Sequence, residues 1–376
     1  MKVIFFGSII LIFFTYCGYP LSLYLLGLRK RRMVEKDTKI FDITMIIAAY
    51  NEEKRIKEKL QNTLELDYPQ DKMQIIVTSD GSVDKTNKIV AGFRNKGIEL
   101  LTLKERKGKE NSQKEAVKLA RGEILVFTDV ATRLLPGGLK EIVYNFADPT
   151  VGCVSSVDKL IGRDGQPSGE GTYVKYEMWL RKLETEVNSL VGLSKSFFAA
   201  RKEVCRDFSS EMQSDFRTVF NSIKLGLRAV SDPDSIGYYH DISDGKKEFD
   251  RKVRTVLRGL TVFFQNTDLL NFYKYGLFSY QLISHKLLRW LVPGFLIIAF
   301  ISNLFLASVS IWYAIIFTCQ TGFYGLAAFG RSQAAKFENP LIKVPTYFVT
   351  VNTAIMIAWW RFLNGQRIAM WTPSER

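Results

Sequence analysis

The chain has 376 residues, 47% of them hydrophobic, with 52 Lys and Arg against 38 Asp and Glu and a formal net charge of +14. That length holds one large domain or two modest ones, and Cys17, Cys153, Cys205 and Cys319 lack both metal-ligand spacing and a disulfide framework, so they read as small apolar fillers. The basic residues border apolar segments, which points to anionic lipid and a phosphorylated substrate as partners and away from nucleic acid.

Val3 to Leu28 carries no charge. At about 1.5 Å per residue, a helix of that length crosses a bilayer. A secretory signal has a shorter apolar region and a small-residue cleavage site after it, and no such site follows here. Arg29–Lys30–Arg31–Arg32 comes next. The positive-inside rule keeps this cluster cytoplasmic and turns the N-terminus outward.

From residue 40 the pattern changes. ITMIIAAYN, a short unbroken apolar run, predicts a buried strand. EEKRIKEKLQNTLELD predicts a helix with Ile56, Leu60, Leu64 and Leu66 near helical spacing. MQIIVTSD is a second strand, GSVDKTNKIVAGFRNKG a second helix stopped at Gly97, and IELLTLKE a third strand. NSQKEAVKLARG is a third helix and EILVFTDVA a fourth strand. Alternating strands and helices predict a mostly parallel α/β sheet with right-handed crossovers. Ligands on such sheets bind beyond the carboxyl ends of the strands, where Asn51, Asp80 and Asp129 fall. The competing reading is that each acid merely caps the next helix.

The stretch 259–286 is aromatic and mixed in polarity and is expected to lie along the membrane. The apolar block from Leu287 reads as three spans, about 290–307, 309–328 and 344–362. Arg331, Lys336 and Lys343 keep the loop between the last two cytoplasmic, so both termini face outward, a layout opposed by Arg367 and Arg376 in the tail. The expected division is an N-terminal span (1–28), a cytoplasmic α/β domain (40–240), interfacial helices (241–286), three spans (287–364) and a tail (365–376).

The motifs AAYNEE, SDGSVDKT, RKGKENSQ, FTDVAT and QSDF, followed by RKVRTVLRG, occur in this order. Over about residues 42–258 the chain resembles the family 2 glycosyltransferases, the membrane-associated group that includes cellulose, hyaluronan and chitooligosaccharide synthases. The resemblance implies a GT-A-like, mostly parallel sheet flanked by helices, with interfacial helices and about four transmembrane helices. It also implies roles for particular residues. Asp80 would accept hydrogen bonds from uridine, Gly81 would allow close backbone approach, and Asn51 and Glu52 would line the same nucleoside site. Asp84 would hold the turn or cap the helix. Lys109, at the family's Gly-Lys position, would neutralise a diphosphate; a solvated basic loop is the plain alternative. Lys114 stands where relatives often have asparagine. Asp129 would bind a divalent cation, Mg2+ or Mn2+. Ala131 occupies the second acidic position and cannot ligate, so water, the diphosphate and Lys109 would share the task.

Asp215 matches the family's catalytic carboxylate, preceded here by Ser214, and would take a proton from an acceptor hydroxyl. One base opposite the diphosphate gives inversion, unlike glycoside hydrolysis with its two flanking carboxylates. Arg254 matches the arginine of Gln-x-x-Arg-Trp and would meet the diphosphate. Arg251 replaces the glutamine and Thr255 the tryptophan, which argues against long-chain polymerisation. Arg251 and Arg258 share its helical face, which a membrane-surface helix would also explain. Tyr173, Tyr176 and Trp179 form either an aromatic acceptor platform or a packing stripe, and Gly192 in GLSKSFFAAR would lie beneath the acceptor. His240 could approach the metal or simply pack, and His285 is structural.

The expected function is transfer of a sugar from a nucleotide-sugar, a UDP-sugar, to a lipid-linked or polysaccharide acceptor in exopolysaccharide or cell-surface glycan synthesis. The expected location is the inner cell membrane, as a multi-pass protein with its catalytic domain in the cytoplasm. Three C-terminal spans are few for a channel, so an oligomer or an assembly complex would complete one. The alternative is a nucleotide-binding membrane scaffold without turnover, favoured by Ser79, Ala131 and Thr255. A transporter is the weaker reading, because the spans hold almost no ionisable residues that could line a polar path.

Overall fold

The charge-free N-terminal run forms one helix, α1 (Lys2–Arg29), with a π turn at Phe14–Gly18. After it, each short apolar run becomes a strand and each amphipathic run a helix. They follow as β1 (Ile43–Ala49), α2 (Ile56–Leu64), β2 (Met73–Asp80), α3 (Thr86–Ala91), β3 (Ile98–Leu103), α4 (Lys109–Leu119) and β4 (Ile124–Asp129). Next come β5 (Arg133–Leu134), α5 (Gly138–Tyr144), β6 (Val151–Ile161), α6 (Thr172–Val187), β7 (Phe197–Arg201), α7 (Ser214–Lys224) and β8 (Arg228–His240). The chain ends in α8 (Gly245–Phe264), α9 (Leu277–Leu306), α10 (Ile311–Ser332) and α11 (Pro340–Leu363). This computed structural model describes residues 1–161, 172–207, 213–240, 245–332 and 339–368.

The chain divides into two units. The first contains Leu23–Ser243 and Val262–Phe278 and carries an eight-stranded sheet in the order β3-β2-β1-β4-β7-β6-β8-β5. β3, β2, β1 and β4 are parallel and in near-level register: Ala49 pairs with Ser79, Asp80 with Leu103, and Ala48 with Asp129. That register puts the ends of these strands on one edge. β7 then runs antiparallel to β4, with Phe197 opposite Thr128, so the start of β7 reaches the same edge. β6 is antiparallel to β7, with Ser155 opposite Phe198, and its residues beyond Ser155 run toward that edge too. The antiparallel step therefore brings residues 194–196 and Asp158 beside Asp129.

Strands buried on both faces need continuous apolar sequence. Ile43, Met45, Ile47, Val77, Ile124 and Val126 accordingly join one core with Ile56 and Leu60 of α2. Phe127 stacks on Phe198 with ring centroids 4.7 Å apart, which fastens β4 to β7. Fully burying a side chain of this size is worth about 1.5–3 kcal/mol.

The second unit contains Met1–Ser22, Asp244–Thr261 and Ser279–Arg367. α1, α9, α10 and α11 are each long and apolar enough to cross a membrane. Within this unit Phe5 packs edge-on against Tyr313, Phe300 lies 5.1 Å from Phe317, and Trp359 Nε1 donates to the Trp290 carbonyl at 2.8 Å. α8 is amphipathic: Val253, Leu257 and Leu260 are buried while Arg251, Arg254 and Arg258 stay partly exposed. In the stretch 259–286 the first part completes α8, Asn271 caps a single turn at Phe272–Tyr275, and Leu277 begins α9.

Candidate active site

The carboxyl edge of the parallel strands starts at the β1 and β2 turns, which are stitched together by side chains. Asn51 is the one non-glycine residue among those described with positive φ, 51°. Its Oδ1 accepts from Val83 N at 3.0 Å and its N–H donates to Ser82 Oγ at 3.1 Å. Glu52 N donates to Thr86 Oγ1 at 2.8 Å, and the Glu52 carboxylate takes both arms of Arg55, at 2.7 and 2.8 Å. Burial, with the charges of Asp129 and Asp84, raises the Glu52 carboxyl above its ordinary range against the pull of Arg55. Asp84 holds the turn: its oxygens accept from Glu53 N at 3.0 Å and Thr86 N at 2.9 Å. Asn51 and Glu52 thus build the rim between two strand ends.

Asp80, at the end of β2, is buried and accepts from Lys107 N at 2.9 Å and Gly108 N at 2.8 Å. It therefore fixes the loop that leads into α4. Gly81 passes so close beneath this loop that a Cβ there would lie 2.9 Å from Arg106 N. Arg106 in turn lies over the Tyr50 ring, 3.9 Å from its centroid.

One residue past Gly108, Lys109 starts α4 and forms an ion pair with Asp129 at the end of β4. Lys109 Nζ also donates to the Lys195 carbonyl at 3.2 Å. Beneath the same turn lies Lys59, 3% exposed, donating to Thr128 Oγ1 at 3.0 Å and the Thr132 carbonyl at 2.7 Å. Burial pushes its ammonium pKa down to about 7, against the attraction of Asp129. Asp129 fits a divalent cation as one hard oxygen ligand. Ala131 offers none, and no group of three acidic, His or Cys side chains able to hold a metal ion occurs among the described residues. A Mg2+ or Mn2+ ion here would find Asp129 as its protein ligand among the described residues.

Asp215 lies in the first turn of α7, 6% exposed, where the helix N-terminus favours negative charge. Gln213 Nε2 donates to its Oδ2 at 2.9 Å. Its backbone carbonyl accepts from Leu193 N at 3.3 Å. The segment Leu193–Ser196 then continues to the Lys109–Asp129 pair: Lys195 O accepts from Lys109, and Ser196 O accepts from Asp129 N at 3.0 Å. Asp80, Lys109, Asp129 and Asp215 are joined in this way through a short chain of direct contacts.

Tyr173, Tyr176 and Trp179 line one side of α6, with successive ring centroids 6.4 and 6.2 Å apart. Tyr173 and Trp179 are exposed, as an acceptor platform or a surface stripe requires. Gly192 is half-buried just before the Leu193–Ser196 segment. Arg254 lies in the other unit, on α8, its guanidinium held below its ordinary pKa by burial and by Arg258 and Arg251. Arg251 pairs with Glu248 at 2.6 Å. His285 is buried, its ring 6.1 Å from that of Tyr19, consistent with packing. The His240 side chain lies outside the described residues.

Sequence reasoning passed over Lys59, Asp158, Arg181, Ser194 and Ser196. Lys59 had a signal: it sits three after Ile56 and four before Thr63, on the stripe that α2 buries. Asp158, Ser194 and Ser196 come together through strand pairing and Arg181 reaches Ser155 from α6, and none carries a local signature.

The fold is that of the GT-A glycosyltransferases. The chain aligns with a mannosyltransferase from Pyrobaculum calidifontis, determined in complex with GDP-Man and Mn2+, over 96% of this chain and 99% of that one, with TM-score 0.75 and 23% identity. Residues 44–208 match the family described as Glycosyl transferase family 2. The poly-beta-1,6-N-acetyl-D-glucosamine synthase of Staphylococcus aureus (strain COL) is 31% identical over 120 residues, covering 31% of this chain and 29% of the synthase. That of Staphylococcus epidermidis is 33% identical over 91 residues, 24% of this chain and 22% of the synthase. These matches span less than a third of the length of either relative.

Proposed function

We propose that this chain is an inverting glycosyltransferase that moves a sugar from a UDP-sugar to a lipid-linked or polysaccharide acceptor of the cell surface. The observation that carries this reading is the segment Leu193–Ser196, bonded at one end to Asp215 and at the other to Lys109 and Asp129. A group-transfer site needs a base and a charge-neutralising pocket held on a common frame. The synthase relatives favour a polysaccharide product.

In the proposed reaction Asp215 takes the proton of the acceptor hydroxyl. The acceptor oxygen bonds to the anomeric carbon from the face opposite the diphosphate. The carbon–oxygen bond to the diphosphate breaks, and the nucleoside diphosphate leaves with the bonding pair. Lys109 meets its charge. Asp129 would hold a Mg2+ or Mn2+ ion, which would supply further neutralisation of charge. Asp80 keeps the loop before Lys109 in place, and the rim built by Asn51 and Glu52 borders the nucleoside. The sheet unit faces the cytoplasm, where sugar nucleotides are made, and α1, α9, α10 and α11 anchor it in the inner membrane.

The test offers a panel of radiolabelled sugar nucleotides to membranes containing the protein and counts lipid and polymer fractions separately. Label from one donor should appear in one of these fractions. Donor binding with no release of nucleoside diphosphate would instead support the scaffold reading, which Ala131 and Thr255 favour.

A further inference from the structure

We propose that Asp158, gripping the hydroxyls of Ser194 and Ser196, is a positioning residue that sets the spacing between the donor end and the base end of the site and so keeps sugar transfer ahead of donor hydrolysis. This rests on the glycosyltransferase reading above.

Ser194 Oγ donates to Asp158 Oδ1 at 2.6 Å, and Ser196 Oγ donates to the same oxygen. Ser194 N donates to Ser155 Oγ at 2.7 Å, and that hydroxyl also accepts from Arg181 Nη2. Strand β6 thereby holds the 194–196 turn from one side through Ser155 and Asp158. On its other side the same turn carries the functional contacts: Leu193 to Asp215, Lys195 to Lys109, and Ser196 to Asp129. A shift of this turn would displace the base and the cationic end relative to each other.

A carboxylate is a costly way to pin a turn. Burial raises the Asp158 carboxyl above its ordinary range, and the like charge of Asp129 adds to this, against the two serines and Arg181. Arg181 is desolvated as well, and among its charge partners are both Asp158 and Asp215. A charged acceptor, though, holds two hydroxyls about twice as strongly as a neutral amide would. Charged groups kept at such expense cluster where geometry and field serve the chemistry.

Spacing matters because water competes with the acceptor. When water attacks the anomeric carbon, its oxygen forms the new bond, one proton goes to Asp215, and the nucleoside diphosphate leaves as before. A misplacement near 1 Å costs roughly a hundredfold in a well-aligned attack. It penalises a large, oriented acceptor more than a small one.

The experiment measures transfer and hydrolysis in parallel for the full-length protein, Asp158→Asn and the double variant Ser194→Ala/Ser196→Ala, using the donor that the panel identifies. Asp158→Asn keeps an acceptor oxygen and removes the charge; the serine variant keeps the charge and removes the grip. Both should keep donor KM within about threefold, lower transfer kcat by about ten- to a hundredfold, and raise the hydrolysis-to-transfer ratio at least about tenfold. Equal falls in both rates, tracking the folded fraction by thermal melting, would make Asp158 a folding residue and overturn the inference. If Asp158→Asn does not fold, the serine variant decides by the same ratio. An unmodified protein without turnover would sink the glycosyltransferase reading itself, a distinct result.

Discussion

Lys109 pairs with Asp129 across the carboxyl edge of the parallel strands, joining the first residue of α4 to the last of β4. Both side chains are mostly shielded, 15% and 22% exposed, so the pair is little screened by salt. Ala131 leaves Asp129 without a second acid, and the lysine fills the role of local counter-charge. Lys109→Ala should therefore weaken UDP-sugar binding about ten- to a hundredfold, the scale of one or two charge-assisted hydrogen bonds. It should also make the remaining binding steeper in Mg2+ or Mn2+ concentration. Calorimetric titration with and without EDTA reads both effects; equal affinity in variant and parent would remove Lys109 from the donor site.

Asp215 is buried at the start of α7 with one oxygen bonded to Gln213. Asn at this position preserves shape and that hydrogen-bonding partner after an amide flip, but cannot take a proton. Asp215→Asn should leave donor affinity within about threefold and lower transfer by about two to four orders of magnitude, the usual span for a general base. Single-turnover assays with labelled donor separate binding from chemistry. Near-parental transfer would end the assignment.

The parallel half of the sheet was legible in sequence because a strand buried on both faces must be a continuous apolar run, as Ile75–Ile76–Val77 is. The polar residues ending those runs marked the site edge for the same reason. β6 and β8 were not legible. VGCVSSVDKLI carries Ser155, Ser156 and Asp158 within its run, and RAVSDPDSIGYYH is interrupted by Asp232–Pro233–Asp234. Both patterns imitate loops. Asp158 and Ser196 stand 38 positions apart, and only the antiparallel step at β7 brings them together. The start of α9 at Leu277 is faint in sequence because Ser279, Gln281, Ser284 and His285 dilute the apolar run although the structure buries all four.

Gly81 and Gly97 both have positive φ, 68° and 81°, yet they should respond differently to alanine. At Gly97 a Cβ meets nothing within 4 Å, so Gly97→Ala bears only the backbone penalty, roughly 1 kcal/mol. At Gly81 the same atom lies 2.9 Å from Arg106 N, in the loop that Asp80 fixes. Gly81→Ala should cost about 1–3 kcal/mol more. It should also weaken donor binding, because Lys109 follows that loop. Melting temperature and donor Kd measured side by side test this; a Gly81→Ala protein with parental affinity would show that the loop's position does not govern the donor site.

Lys59 allows a pH prediction with a definite sign. Its folded pKa is lowered to about 7, against an unfolded value of about 10.4. Between these values the unfolded chain holds a proton that the folded chain lacks, so stability rises with pH. The full cost of burying the ammonium is present below about 7 and vanishes as pH passes the unfolded pKa. Lys59→Met removes this dependence, although it also leaves Thr128 Oγ1 and the Thr132 carbonyl without their donor, a loss of about 1–3 kcal/mol. The readout is therefore the pH slope and not the absolute stability. Melting in detergent from pH 7 to 9.5 should show the parent gaining on the variant with rising pH, by at most about 1.4 kcal/mol per unit. Parallel curves over that range would mean that Lys59 stays charged in the folded protein, with its ammonium balanced by Asp129 beneath the donor site.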